Sequence, residues 1–205
     1  MVSQMNDAIR ILGLAFRDIW QEFWTILVVH VLFLIANLFI IPGPPAILAL
    51  FFYGNRIAHG ELASERDFLE AMRRYWKPAW RWGLLNIVVI GLLTGDHYLI
   101  GTLIDTSGTA FFAQSFYRML LVVWILLQLF ALPFLFEQEQ PLVSQALQNA
   151  AKFVRKNSLF TVVLALLLGL SLLAGTLTFM LTFAVGGALI AFASNRAVLR
   201  DLTGR

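Results

Sequence analysis

Cysteine is absent from the 205 residues, which removes disulfides, thiolate metal sites, thiol nucleophiles and covalent haem attachment at once. Charge is scarce: 13% of residues are Asp, Glu, Lys or Arg and 60% are hydrophobic, whereas soluble domains run at roughly a quarter charged and half apolar. Proline is rare too, and three of its six occurrences crowd into residues 42 to 45. The chain carries no His-Glu-x-x-His helix, no phosphate loop and no dinucleotide fingerprint. Ser144, Ser158 and Ser171 have no base beside them in a motif. The paired glycines of "VGGA" (185 to 188) sit in an apolar run, where close helix packing explains them. The expectation is a non-enzymatic protein with no cofactor and no resident metal.

What the chain does have is length of apolar run. Its mean hydropathy is +0.79, and the hydrophobicity comes in blocks rather than at helical period. Six segments stand out, at about 23–41, 45–59, 82–100, 117–136, 158–174 and 178–195, judged against the roughly 20 residues a helix needs to cross the hydrocarbon. The fold class expected is all-α: a polytopic transmembrane bundle of about six spans in one membrane domain, 1–205. "IPGPP" turns the first pair into a hairpin, and "LAGT" around Gly175 is the expected reversal of the last. Whether 45–59 and 82–100 cross fully is open. Asp7, Arg10, Arg17 and Asp18 interrupt the N-terminus, so the first run is expected to stay in the membrane rather than to be cleaved.

Basic residues set the orientation, because short loops rich in Lys and Arg stay cytoplasmic. Arg10 and Arg17 precede the first segment. Arg56, Arg66, Arg73, Arg74, Lys77 and Arg81 separate the second from the third, Lys152, Arg155 and Lys156 the fourth from the fifth, and Arg196, Arg200 and Arg205 follow the sixth; Arg118 alone lies opposite. Both termini are therefore expected in the cytoplasm. The net charge of +3 and isoelectric point near 9.6 point to anionic lipid headgroups rather than nucleic acid.

A motif recurs. "AFRDIWQEFW" (15–24) and "AMRRYWKPAW" (71–80) match at alanine, arginine and both tryptophans, and "FVRKNSLF" (153–160) is a weaker third copy. Units 6–60, 64–136 and 141–200 would each pair an amphipathic interfacial helix with a hairpin; anchoring of spans by flanking aromatic and basic residues would produce a similar pattern. The 3.6-residue period puts Ile9, Leu12, Phe16, Ile19 and Trp20 on one face of the first such helix. It groups Phe68, Leu69, Met72, Tyr75 and Trp76 on the second, and Leu142, Val143, Ala146, Leu147, Ala150, Phe153 and Val154 on the third. Ser64 and Asp67 form a capping-box pattern. Arg17, Trp20, Arg73, Arg74, Trp76, Lys77, Lys152, Arg155 and Lys156 are the residues expected to meet headgroups or a partner.

The Pro-x-Pro-Pro hairpin leading into "AILALFFYGNRIAHGE" (46–61), the connector "SERDFLEAMRRYWKPAWRWGLLN" (64–86) and the ending "ASNRAVLRDL" (193–202) resemble the YesL-like family of small bacterial membrane proteins. The resemblance covers most of the chain and rests on a pattern of spans and prolines rather than a catalytic signature. It implies a multispanning protein of the bacterial cytoplasmic membrane, associated in some bacteria with carbohydrate uptake, and it transfers no activity or site. "DHYLIGTLIDTSG" (96–108) has no counterpart in it.

Within the apolar runs, His30 and Asn37 share a helix face, and the repeat offset sets Asn86 level with His30. Gln128 completes a candidate intramembrane polar site. Helix-to-helix hydrogen bonding is the preferred reading, since no carboxylate lies within the spans beside the histidine. At the other end, Asp96 and Asp105 are candidates for ion pairing with Arg118, and with His97 they make only a weak metal pattern. The leading functional expectation is a scaffold or accessory subunit of a larger membrane complex or transporter. The alternative is a small transporter using His30, Asn86 and Gln128.

Overall fold

A computed structural model describes residues 2–103, 107–177 and 180–203. Those residues form nine helices and no strand: α1 (Val2–Gln21), α2 (Phe23–Asn37), α3 (Gly43–Ala58), α4 (Glu65–Arg74), α5 (Trp76–Leu103), α6 (Ser107–Phe136), α7 (Val143–Lys156), α8 (Ser158–Leu177) and α9 (Met180–Thr203). By length and composition α5, α6 and α8 can each cross a membrane. A fourth span is counted if α1 and α2, bent by 93° at Glu22, are taken as one broken span.

The helix ends follow from local chemistry. Pro44 and Pro45 occupy the first turn of α3, where a missing N–H costs nothing. Gly60, at φ 79°, closes that helix: Glu61 N–H donates to the Arg56 carbonyl and Gly60 N–H to that of Ile57, a Schellman pattern that needs the left-handed residue. The capping box of α4 forms, with the Asp67 N–H reaching the Ser64 hydroxyl and the Asp67 carboxylate accepting from the Ser64 N–H at 2.8 Å. A single residue breaks the chain between α1 and α2, α4 and α5, and α7 and α8, at Glu22, Tyr75 and Asn157. Helix α8 runs through the buried Gly175, where a reversal is expected from sequence, as far as Leu177.

At the centre lie α3 and α9. A Cβ on Gly54 would stand 3.2 Å from the Ala191 backbone and 3.0 Å from the Phe192 ring, so the two helices meet as closely as a glycine permits. Tyr53 stacks on Phe192 with ring centroids 6.1 Å apart, and the Asn195 amide N–H donates across the interface to the Phe51 carbonyl at 3.0 Å. Around this pair, α1 packs on α8 and α9, and α7 packs on α6 through Phe153, whose ring sits 4.6 Å from that of Phe130.

The amphipathic helices bury a different edge of their apolar surface from the one periodicity suggests. On α1 the bundle takes Ala8, Ile11, Ala15 and Ile19 and leaves Ile9, Phe16 and Trp20 exposed. On α4 it takes Phe68 and Ala71 and leaves Leu69 exposed, with Trp76 exposed just beyond. At about 100° per residue, the buried and exposed apolar stripes lie roughly 100° apart, and on both helices the exposed stripe is on the same side of the buried one. One apolar arc thus serves two contacts, which a hydropathy wheel cannot separate.

Candidate functional site

The polar residues of α5 and α6 come together. Trp82 and Asn86 are one turn apart on α5, and Trp124 and Gln128 one turn apart on the antiparallel α6. The Trp82 indole N–H donates to Gln128 Oε1 at 2.7 Å, and the Trp124 indole N–H to Asn86 Oδ1 at 3.0 Å. Asn86 Nδ2 donates to its own helix at the Trp82 carbonyl, 2.9 Å away, and more weakly to Gln128 Oε1 at 3.4 Å. An indole nitrogen can only donate, so each tryptophan fixes the orientation of the amide it touches. The Gln128 amide nitrogen is consequently turned away from Trp82, and it is buried with no hydrogen-bond partner among the described residues.

Beside this network lies an apolar groove of about 380 Å³. Among the described residues α6 packs on α7, and α8 on α1 and α9, rather than α6 and α8 on each other. The gap is floored by Phe51 of α3 and Ile190 of α9. Trp82 and Gln128 line one side, Leu168 and Gly169 the other.

His30 belongs to a different interface. It is 3% exposed, its ring 5.4 Å from that of Phe33. A Cβ on Gly187 would come within 3.1 Å of His30 Cε1 and 3.0 Å of Leu50, so the "VGGA" glycine makes room for the imidazole where α2, α3 and α9 meet. Of the four residues proposed as one intramembrane site, the structure brings together Asn86 and Gln128. Asn37 is exposed at the end of α2, its amide donating to the Phe33 carbonyl at 2.8 Å. At the far end of the bundle, neither Asp96 nor Arg118 makes an ion pair among the described residues, and Asp105 lies outside them.

The ionic chemistry is concentrated at the basic end. Asp18, with a side chain 4% exposed, accepts from Arg196 at 2.8 Å, and Asp7 pairs with Arg200 one turn further along α9. Arg56 of α3 pairs with Asp67 of α4, and Lys156 of α7 with Asp201 of α9 at 2.9 Å. Glu137, just after α6, takes the Asn55 amide at 2.6 Å and the His59 ring at 2.9 Å, two groups one turn apart on α3. Burial alone would raise the Asp67 carboxyl; the Ser64 hydrogen bonds and the Arg56 charge outweigh it and hold the group below its ordinary value.

Of the basic residues expected to face headgroups, Arg73, Lys77, Lys152 and Arg155 make no ion pair among the described residues. Arg17 touches Asp18 at 3.6 Å while staying 56% exposed, and Arg74 lies over the Tyr75 ring. Lys156 is tied to Asp201, while Trp20 and Trp76 are both exposed. Sequence reasoning missed the acidic halves of the pairs. Their signal was available: Asp7 and Asp18 are the only carboxylates of α1, and Arg196 and Arg200 are four apart on α9. No group of three His, Asp or Glu able to hold a metal ion occurs among the described residues.

Neither a family model, nor a curated protein, nor a solved structure matches this chain.

Proposed function

We propose that this chain is a multi-pass membrane protein acting as a non-enzymatic scaffold or accessory subunit of a larger membrane complex. In this reading α2–α3, α5–α6 and α8–α9 form three membrane hairpins, and α1, α4 and α7 form a collar on the cytoplasmic face together with both termini. Membership of the YesL-like family belongs to the same proposal and rests on the proline hairpin and the 64–86 connector.

One observation carries it: each of the three amphipathic helices is ion-paired to a helix of a hairpin. The links are Asp18–Arg196 and Asp7–Arg200 for α1, Arg56–Asp67 for α4, and Lys156–Asp201 for α7. Such links join the collar to the bundle and leave Arg73, Lys77, Lys152 and Arg155 for anionic headgroups or an acidic partner surface. The motif positions Ala15, Ala71 and Phe153 are all buried and Arg17, Arg73 and Arg155 all exposed, as three copies of one interfacial unit require.

Mass spectrometry of what co-purifies with a tagged, natively expressed chain in mild detergent tests the reading. A stoichiometric membrane partner, lost when Arg73, Lys77, Lys152 and Arg155 are changed to glutamate, is the expected outcome. A chain free of partners in several detergents would sink it. The transporter alternative would then be examined by liposome flux, where an unchanged rate and pH profile in His30→Ala removes the histidine from consideration.

A further inference from the structure

We infer that the groove between α6 and α8 is a binding site for one acyl chain of an ester phospholipid, with the Gln128 amide N–H donating to the ester carbonyl. The inference rests on the membrane reading above, and not on the scaffold role.

Three features converge on that ligand. The groove lies between two helices that are each long and apolar enough to span, and the exposed Ile125 of α6 and Gly169 of α8 are part of its lining. It is open rather than enclosed, and its volume of about 380 Å³ falls within the roughly 300–1,000 Å³ of small-molecule pockets. The hydrogen-bonding is directional. Because the Trp82 indole holds Gln128 Oε1, the buried Gln128 nitrogen offers donors that no described residue uses, so the missing group is an acceptor. Its depth suits an ester: Gln128 is level with Trp82, which follows Arg81 at the basic end of the bundle, where chain meets headgroup.

Gly169 provides the test. A Cβ there meets nothing within 4 Å, so Gly169→Leu fills the groove without a backbone clash; Gly91 of α5 is equally open and supplies the control. The full chain is placed in nanodiscs of phosphatidylglycerol doped with a diester phosphatidylcholine carrying a diazirine on one acyl chain. After photolysis, adducts are mapped by peptide mass spectrometry. Adducts concentrated on 125–132 and 165–172 that fall at least several-fold in Gly169→Leu and persist in Gly91→Leu are expected. Groove adducts unchanged by Gly169→Leu would overturn the site and leave only coating lipid. No adducts on α5, α6 or α8 would overturn the membrane reading itself, a separable failure.

The carbonyl is tested by competition. Unlabelled diester lipid should displace the probe about fivefold better than the diether analogue, the worth of one hydrogen bond, and Gln128→Leu should abolish that preference. Equal competition in the wild type would refute the carbonyl contact. This second arm also serves if Gly169→Leu fails to fold.

Discussion

The helices that look most like membrane spans bury less of themselves than the central pair, α3 and α9. In α5 only 6% of the most apolar window is buried inside the molecule, and in α6 33%; both pass the test of length and composition. Helix α3, too short at 16 residues to pass it, lies with α9 at the centre. The difference is physical. A helix wrapped by lipid must present apolar side chains all round, because nothing else can satisfy a polar group there. A helix wrapped by protein can carry Asn55, Arg56, Asn195 and Arg196, since neighbouring helices supply the partners. Hydropathy here marks helices with few protein neighbours, and the organising centre of the bundle is found by its small residues and paired charges.

The comparison is broken most severely by removing a charge from the centre. Asp18→Asn leaves Arg196 without its counter-ion. The expected loss is about 3 kcal/mol, the low end for breaking a buried pair because Arg196 is still 21% exposed. A thermal scan of the detergent-solubilised protein measures it, with Arg17→Ala as the peripheral counterpart costing under about 1 kcal/mol. Equal losses in the two variants would mean that the Asp18–Arg196 pair is not central.

Glycine substitutions sharpen the same contrast at somewhat smaller cost. Gly54→Val forces new methyls toward the Ala191 backbone, which cannot yield as a flexible side-chain tip would, and should cost about 2 kcal/mol. Gly91→Val on α5 enters open space, and its apparent melting temperature should match the wild type or exceed it slightly. A larger loss at Gly91 than at Gly54 would invert the assignment of centre and periphery.

The collar gives a pH-dependent version. Since the folded Asp67 carboxyl is held below its unfolded value, its contribution is complete above about pH 4 and is lost as pH falls through the lower folded value. Amide exchange in α4 should be equally slow at pH 7 and pH 5 once corrected for intrinsic rates, and should quicken only in stronger acid. Asp67→Asn should already be fast at pH 7, by an amount equivalent to about 1 kcal/mol of lost capping. Protection that declines between pH 7 and pH 5 would show that another group anchors the helix.

Much of this architecture could be read along the chain, and the unreadable part has a common cause. The helical class, the capping box at Ser64 and the turn at Pro42–Pro45 all follow from residues close in sequence, so local chemistry is enough to find them. Asn86 and Gln128 stood out as amides in apolar runs, but as members of a group with His30 and Asn37, and the structure joins the two amides alone. What was not legible needed the third dimension. The repeat offset set His30 level with Asn86, yet they lie in separate interfaces, because equal depth does not fix which neighbour a helix face meets. Likewise the period of α1 marks an apolar arc but cannot divide it between buried positions such as Ala15 and exposed ones such as Phe16.

The smallest effect belongs to the peripheral network, and it tests whether polar groups facing the membrane act as glue. Asn86→Leu removes the acceptor for the Trp124 indole and one weak donor to Gln128, while Trp82 still holds Gln128 Oε1. The cost should be close to the average for hydrogen bonds between membrane helices, about 0.6 kcal/mol. Tryptophan fluorescence reports the local change directly: the emission of Trp124 should shift in Asn86→Leu, and Trp124→Phe should abolish that shift with little further loss of stability. A loss in Asn86→Leu comparable to that in Asp18→Asn would show that the exposed α5–α6 pair is as tightly held by its polar groups as the centre is by its charges, and the contrast between the two regions would fail.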